Sequence, residues 1–78
     1  IGRKMHEDPE VPNYFTGRRG PRLEPGMALA IEPMITLGSP DICLDENQWT
    51  VSTIDKKPAA LYENTTILTK HGLEILTL

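Results

Sequence analysis

Two glutamates stand inside otherwise apolar, strand-like runs of this 78-residue chain. Glu32 lies between Ala-Leu-Ala-Ile and Pro-Met-Ile, and Glu63 lies between Ala-Leu-Tyr and Asn-Thr-Thr-Ile-Leu. A carboxylate on a half-buried strand is costly unless a cation or hydrogen-bond donors offset its desolvation. Two carboxylates on separate strands suggest a shared divalent cation, which oxygen ligands bind well. Glu32 and Glu63 are therefore predicted to be metal ligands.

The local pattern leaves other interpretations open. Glu32 also fits a buried structural carboxylate that pairs with Arg or Lys, and Glu63 fits a solvent-facing residue of an amphipathic strand. Pro33 cannot donate to a strand ladder, which indicates an interruption or an edge beside Glu32. The neighbours of Glu63 on its predicted strand face are largely apolar, which disfavours a solvent-facing strand. His6 lies in a polar segment, where an ordinary surface histidine is the simpler interpretation.

Strands and turns must position these side chains, because no run of useful length has a helical period. Residues 1–24 are interrupted by Gly and Pro and are predicted to be looped. Turns are predicted at residues 24–26, 38–40 and 45–47, and strands at residues 27–36, 49–54, 61–69 and 73–76. The last two strands form a hairpin, in which Gly72 suits a positive φ. On the first strand, the small Ala28 and Ala30 share a face with Glu32 and leave space before it.

Composition limits the possible partners and the size of the core. The net charge is -3 with both signs scattered, so no basic face for nucleic acid and no cationic helix for a membrane is predicted. Cys43 is the single cysteine; it is interpreted as a small apolar filler and fits a reducing compartment. A chain of this length can build one small core at most. Because it begins with Ile1, we expect it to be a piece of a longer protein.

Four ordered blocks that cover nearly the whole chain resemble type I methionine aminopeptidases. The blocks are IGRKMHEDPEVPNY (residues 1–14), LEPGMALAIEPM (23–34), WTVSTID (49–55), and ALYENT (60–65) together with GLEILT (72–77). Prolidases and aminopeptidases P share the His-Glu segment but usually have glycine where Met34 stands, so Met34 and the Trp-Thr-Val block favour the methionine enzymes. Two departures bear on pocket shape: Asn64 stands where many members have histidine, and Met5 stands where an aromatic residue is frequent.

The resemblance implies an α+β class, in which residues 1–78 are a mainly antiparallel β fragment of a pita-bread (creatinase/aminopeptidase) fold. They are then the C-terminal part of a single catalytic domain whose N-terminal part is absent. The implied activity is removal of the initiator methionine from nascent proteins, by two-metal activation of a bridging water. A proline-specific peptidase of the same fold and a catalytically inactive binding module on that fold remain the alternatives.

The same resemblance implies roles for individual residues. Two divalent ions (Co, Mn, Fe or Zn) are held by two Asp, one His and two Glu, and Glu32 and Glu63 match the two glutamates. Glu63 matches the bridging ligand, and Glu32 the ligand that also carries a proton to the leaving amine. His6 matches the histidine that contacts substrate and stabilises the oxyanion, and Met5 and Trp49 border the methionine pocket. Nascent peptide N-termini are the implied substrate of a cytoplasmic, monomeric enzyme that associates with ribosomes.

Overall fold

The computed structural model describes residues 1–78 and contains seven short β-strands and no helix. Every strand pairing is antiparallel, and nothing in the chain forms a membrane-crossing helix. The strands are β1 (Ala28–Ile31), β2 (Met34–Thr36), β3 (Ile42–Leu44), β4 (Val51–Thr53), β5 (Ala59–Leu61), β6 (Asn64–Thr69) and β7 (Gly72–Ile75). The mainly antiparallel β architecture is therefore confirmed, and residues 1–24 hold no strand or helix, as predicted.

The chain forms two compact units, of which the first consists of two separate segments and the second of one. The first consists of Ile1–Glu32 and Glu63–Leu78, and the second of Pro33–Tyr62. The first unit holds a three-stranded sheet in the order β1-β6-β7. The second holds two separate two-stranded ladders, β2 with β5 and β3 with β4.

The core of the first unit lies between β1 and β6. Leu29 retains 9% of its exposure and Thr66 only 1%, and these two residues are directly opposed in the ladder. The Thr66 hydroxyl donates a hydrogen bond of 2.9 Å to the Leu29 carbonyl oxygen. A one-residue slip would turn the strand over and separate the buried hydroxyl from its acceptor, which is costly. This contact therefore favours the observed register.

The β6–β7 hairpin closes through a two-residue loop. Thr69 pairs with Gly72, so Lys70 and His71 form the loop. The His71 N–H donates to Thr69 Oγ1 at 3.1 Å, and Gly72 has a φ of 124°. The positive φ predicted for Gly72 is confirmed, and a side chain there would strain the backbone.

In the second unit, the β3–β4 loop replaces part of a predicted strand. The strand predicted at residues 49–54 is shorter than expected, because β4 begins at Val51. The Asn47 side-chain oxygen accepts the N–H groups of Trp49 at 3.0 Å and Thr50 at 2.8 Å. A short polar side chain that binds nearby backbone competes with a strand ladder. Trp49 consequently lies in a loop and not in a strand.

Asp55 holds two loops of the second unit together. Its carboxylate accepts the N–H of Ser39 at 2.7 Å and the N–H of Lys57 at 3.1 Å. These bonds, that from Ser39 foremost, lower the pKa of Asp55 below its usual value of 3.8, because they stabilise the ionised form. A Cβ at Gly38 would overlap the same carboxylate. Glycine at that position allows the close approach.

Candidate functional site

Both glutamates lie in two-residue breaks between strands. Glu32 directly follows β1, which ends at Ile31, and Glu63 directly precedes β6, which begins at Asn64. The strands predicted at residues 27–36 and 61–69 are therefore each broken here; the interruption that Pro33 indicated beside Glu32 is confirmed, and the break at Glu63 was not predicted. Pro33 supplies a physical reason on one side, because it has no N–H for the ladder and restricts the residue before it.

The register of β1 and β6 places the two glutamates opposite one another. Ile31 pairs with Asn64 at the end of the ladder, so the next pair in the same register is Glu32 with Glu63. The Leu68 N–H donates to the Met27 carbonyl at 2.9 Å, and counting alternate pairs from there makes the glutamate pair non-hydrogen-bonded. Side chains approach most closely at such pairs, where Cα atoms are about 4.5 Å apart.

Both carboxylates are exposed in this chain. The expectation of half-buried carboxylates is wrong here, and so is the alternative of a buried structural carboxylate at Glu32. The reason is that Leu29 and Thr66 are the buried residues of the first unit, so no second layer covers the glutamates. Two like charges directly opposed across a ladder destabilise it. Mutual repulsion, and not desolvation, is therefore what a bound cation would relieve.

An open concave surface of the first unit brings four of the predicted site residues together. Glu32, Glu63, His6 and Met5 all line it, beside residues of β1, β6 and β7. Acidic oxygens, an imidazole and a thioether thus share one surface. This set combines potential metal ligands with a hydrogen-bonding ring and an apolar, polarisable side chain.

His6 and Met5 lie in a short turn that a side-chain hydrogen bond closes. The Glu7 carboxylate accepts the N–H of Lys4 at 3.3 Å, so the backbone turns around the two residues between them. Both side chains are exposed, Met5 to 84%. Neither is fixed by burial, and both are accessible from the concave surface.

Trp49 lies in the second unit, on the loop between β3 and β4. Its side chain is 86% exposed. The concave surface described above is formed by residues of the first unit, so Trp49 is the one predicted site residue that does not belong to that set.

The chain does not assemble a complete metal site from its own side chains. No three of its His, Cys, Asp and Glu residues are grouped closely enough to hold a metal ion. The opposed pair Glu32 and Glu63 is the arrangement in which two oxygen ligands can share a cation. Such a pair suits a hard or borderline divalent ion.

The backbone that follows Glu63 is held by a residue near the end of the chain, which the sequence did not reveal. The Thr65 N–H donates to Thr77 Oγ1 at 2.9 Å, and the Asn64 side-chain amide donates to the Thr77 carbonyl oxygen. The Leu76 N–H donates to the Thr65 carbonyl at 2.8 Å. The only sequence signal is a hydroxyl residue just after a predicted strand, which is too common to be informative.

Comparison with known proteins gives consistent matches over the chain. The profile of metallopeptidase family M24 matches residues 1–70. The methionine aminopeptidase of Clostridium perfringens is 55% identical over 78 residues, which are 100% of this chain and 31% of that protein. That of Escherichia coli is 44% identical over 78 residues, covering 100% of this chain and 30% of that protein.

A solved structure gives the same match in three dimensions. The crystal structure of methionine aminopeptidase from Thermotoga maritima superposes with a TM-score of 0.92 at 45% identity, covering 99% of this chain and 31% of that one. The present chain thus spans about a third of the length of the relatives it matches.

Proposed function

Because the chain belongs to metallopeptidase family M24, we propose that it is part of a methionine aminopeptidase that removes the N-terminal methionine of nascent proteins. The observation that carries the proposal is the opposition of Glu32 and Glu63 across the β1–β6 register, on a surface that His6 also lines. Similarity to methionine aminopeptidases over the whole chain supports it. The substrate class is the N-terminus of a nascent peptide that begins with methionine.

Glu32 and Glu63 fit a divalent metal centre by their chemistry and placement. Opposed carboxylates repel each other until a cation lies between them, and carboxylate oxygens suit Mn, Fe, Co and Zn. We propose that they hold a pair of such ions. We propose that the remaining ligands, two Asp and one His, are supplied from outside these 78 residues, within which no group of three ligating side chains exists. When bound, the ions supply an activated water and polarise the scissile carbonyl.

We assign a separate role to each of the site residues of the chain. Glu63 would be a ligand common to the two ions, and Glu32 would be a ligand that also passes a proton to the leaving amine. His6 donates a hydrogen bond to the scissile carbonyl as negative charge develops on its oxygen. Met5 borders the pocket for the methionine side chain, where polarisable contacts favour a thioether; the role implied for Trp49 stays a prediction.

The proposal also assigns the setting of the chain. Residues 1–78 form the C-terminal part of a single catalytic domain of the α+β pita-bread class. The enzyme acts as a monomer. It works in the cytoplasm in association with ribosomes, because its substrates are peptides that are still being synthesised. The charges of the chain are scattered and sum to -3, so the proposal includes no direct contact with nucleic acid.

The test is peptide cleavage by the product of the complete coding sequence. The protein is assayed with Mn²⁺ or Co²⁺ on a Met-Ala-Ser peptide and on a peptide with proline in the second position. Release of methionine that is lost in Glu63→Ala supports the proposal. Preferential cleavage before proline would indicate the proline-specific alternative, and no cleavage of either peptide by metal-loaded protein would indicate a binding module.

A further inference from the structure

The start of β6 is held in an unusual way. The Thr65 carbonyl accepts the ladder bond from Leu76 at 2.8 Å, but the Thr65 N–H binds the side-chain oxygen of Thr77 at 2.9 Å. A hydroxyl therefore takes the place of a backbone carbonyl at the last position of this ladder. The carbonyl of Thr77 in turn accepts the side-chain amide of Asn64.

These bonds fix the two residues that directly follow Glu63. The β6–β7 register pairs Thr66 with Ile75, so two steps further along the same register Asn64 lies opposite Thr77. Glu63 itself lies just before the strand, at the position opposite Glu32, which carries no ladder hydrogen bond of its own. Its direction depends on the bond from the Tyr62 N–H to the Pro33 carbonyl at 3.4 Å on one side and on the Thr77 contacts on the other.

We propose that Thr77 is a positioning residue for Glu63, acting through Asn64 and Thr65, and that its hydroxyl holds the carboxylate in line with Glu32 for metal binding. The inference rests on the proposed function, because it takes Glu63 to be a ligand of the metal. Thr77 touches neither substrate nor metal in this role. It restricts the backbone from which the ligand projects, which reduces the ordering that metal binding would otherwise require.

A purely structural role for Thr77 predicts a different pattern. In that case its loss would lower stability as much as the loss of any comparable hydroxyl of β6, with no selective effect on metal affinity. Thr69 provides the matched control, since its hydroxyl donates to the Gly72 carbonyl at 2.9 Å at the opposite end of β6. The substitutions Thr77→Val and Thr69→Val each remove one bonded hydroxyl and keep the branched shape.

The experiment uses the product of the complete coding sequence and measures Mn²⁺ affinity by calorimetry. Thr77→Val is expected to bind Mn²⁺ about fivefold more weakly than wild type, which is the scale of one neutral hydrogen bond. Thr77→Ser keeps the hydroxyl and should restore affinity to within about twofold, and Thr69→Val should show the same small change. Asn64→Ala, which removes only the contact of the Asn64 amide with the Thr77 carbonyl, should also weaken Mn²⁺ binding. It is the variant to use if Thr77→Val does not fold.

Amide hydrogen exchange of the metal-free protein separates this inference from the proposed function. Exchange of the Thr65 amide should be faster in Thr77→Val than in wild type, whatever reaction the enzyme performs. Unchanged exchange, or Mn²⁺ affinities of Thr77→Val and Thr69→Val that agree within about twofold, would overturn the positioning role alone. Wild-type protein that shows the Thr65 contact but does not bind Mn²⁺ would overturn the proposed function and the positioning role with it.

Discussion

Neutralising Glu63 should stabilise the metal-free protein while it weakens metal binding. Glu63 faces Glu32 as the next pair of the β1–β6 register, and side chains at directly opposed positions have Cβ atoms about 5 Å apart. Two unit charges at about 5 Å in water repel by about 0.8 kcal/mol. Glu63→Gln removes that repulsion at nearly constant shape, so the free energy of unfolding should rise by up to about 0.8 kcal/mol.

The measurement is urea unfolding of the complete protein in chelator at low ionic strength. The increase in the free energy of unfolding should disappear in 1 M salt, where the screening length falls to about 3 Å. Glu74→Gln is the control for net charge, because Glu74 is an exposed β7 residue that lies opposite Ile67 and not opposite a carboxylate. It should change the stability much less.

Addition of Mn²⁺ should reverse the order of stability of wild type and Glu63→Gln. Wild-type protein should gain more stability than Glu63→Gln, because it binds the ion more tightly and bound ligand stabilises the folded state. If Glu63→Gln in chelator were no more stable than wild type and no more stable than Glu74→Gln, Glu32 and Glu63 would not face one another and the register argument would fail.

Three further predictions test other parts of the structure. Glu63→Gln should cost more Mn²⁺ affinity in calorimetry than His6→Ala, since the first removes a charged ligand and the second a substrate contact; equal losses would contradict these roles. The 78 residues on their own should release no methionine from Met-Ala-Ser with Co²⁺ or Mn²⁺ above a Glu63→Ala control, because they group no three ligating side chains; clear release would refute this. Because the pKa of Asp55 is lowered in the folded protein, its ionised carboxylate stabilises the fold at pH values above the usual pKa of 3.8. This contribution is lost as the pH falls through the lower folded-state pKa. The stability difference between wild type and Asp55→Asn, followed by urea unfolding against pH, should therefore shrink in acid, and a constant difference would show that the bonds from Ser39 and Lys57 do not form.

Local sequence signals were sufficient for the β6–β7 hairpin and for the faces of β1. Two β-permissive runs flank Lys70-His71-Gly72, and glycine suits the positive φ that the chain adopts there. The alternation of Ala28, Leu29 and Ala30 likewise separates an outer face from the buried Leu29. In both cases the information is carried by residues close together in the chain, which is why the pattern alone predicts it.

The strand breaks and the loop at Trp49 depend on interactions that a period of two does not record. Pro33 indicated an interruption, but nothing in the run around Glu63 shows that its strand also stops. Trp49 continues an alternating pattern, yet the Asn47 side chain binds its N–H and holds it in a loop. Three apolar residues, Ile42–Leu44, form β3 between two predicted turns, where no strand was expected because the run is so short.

The discontinuous first unit also has a consequence for how this sequence can vary. The chain leaves that unit after Glu32 and re-enters it at Glu63, and the pairing of β1 with β6 is set by contacts such as that of Thr66 with Leu29. Residues 37–58, which lie between β2 and β5, can therefore gain or lose residues during evolution without moving one carboxylate relative to the other. A single-residue insertion within β1 or β6 has the opposite effect, because it would turn one glutamate to the other side of the sheet.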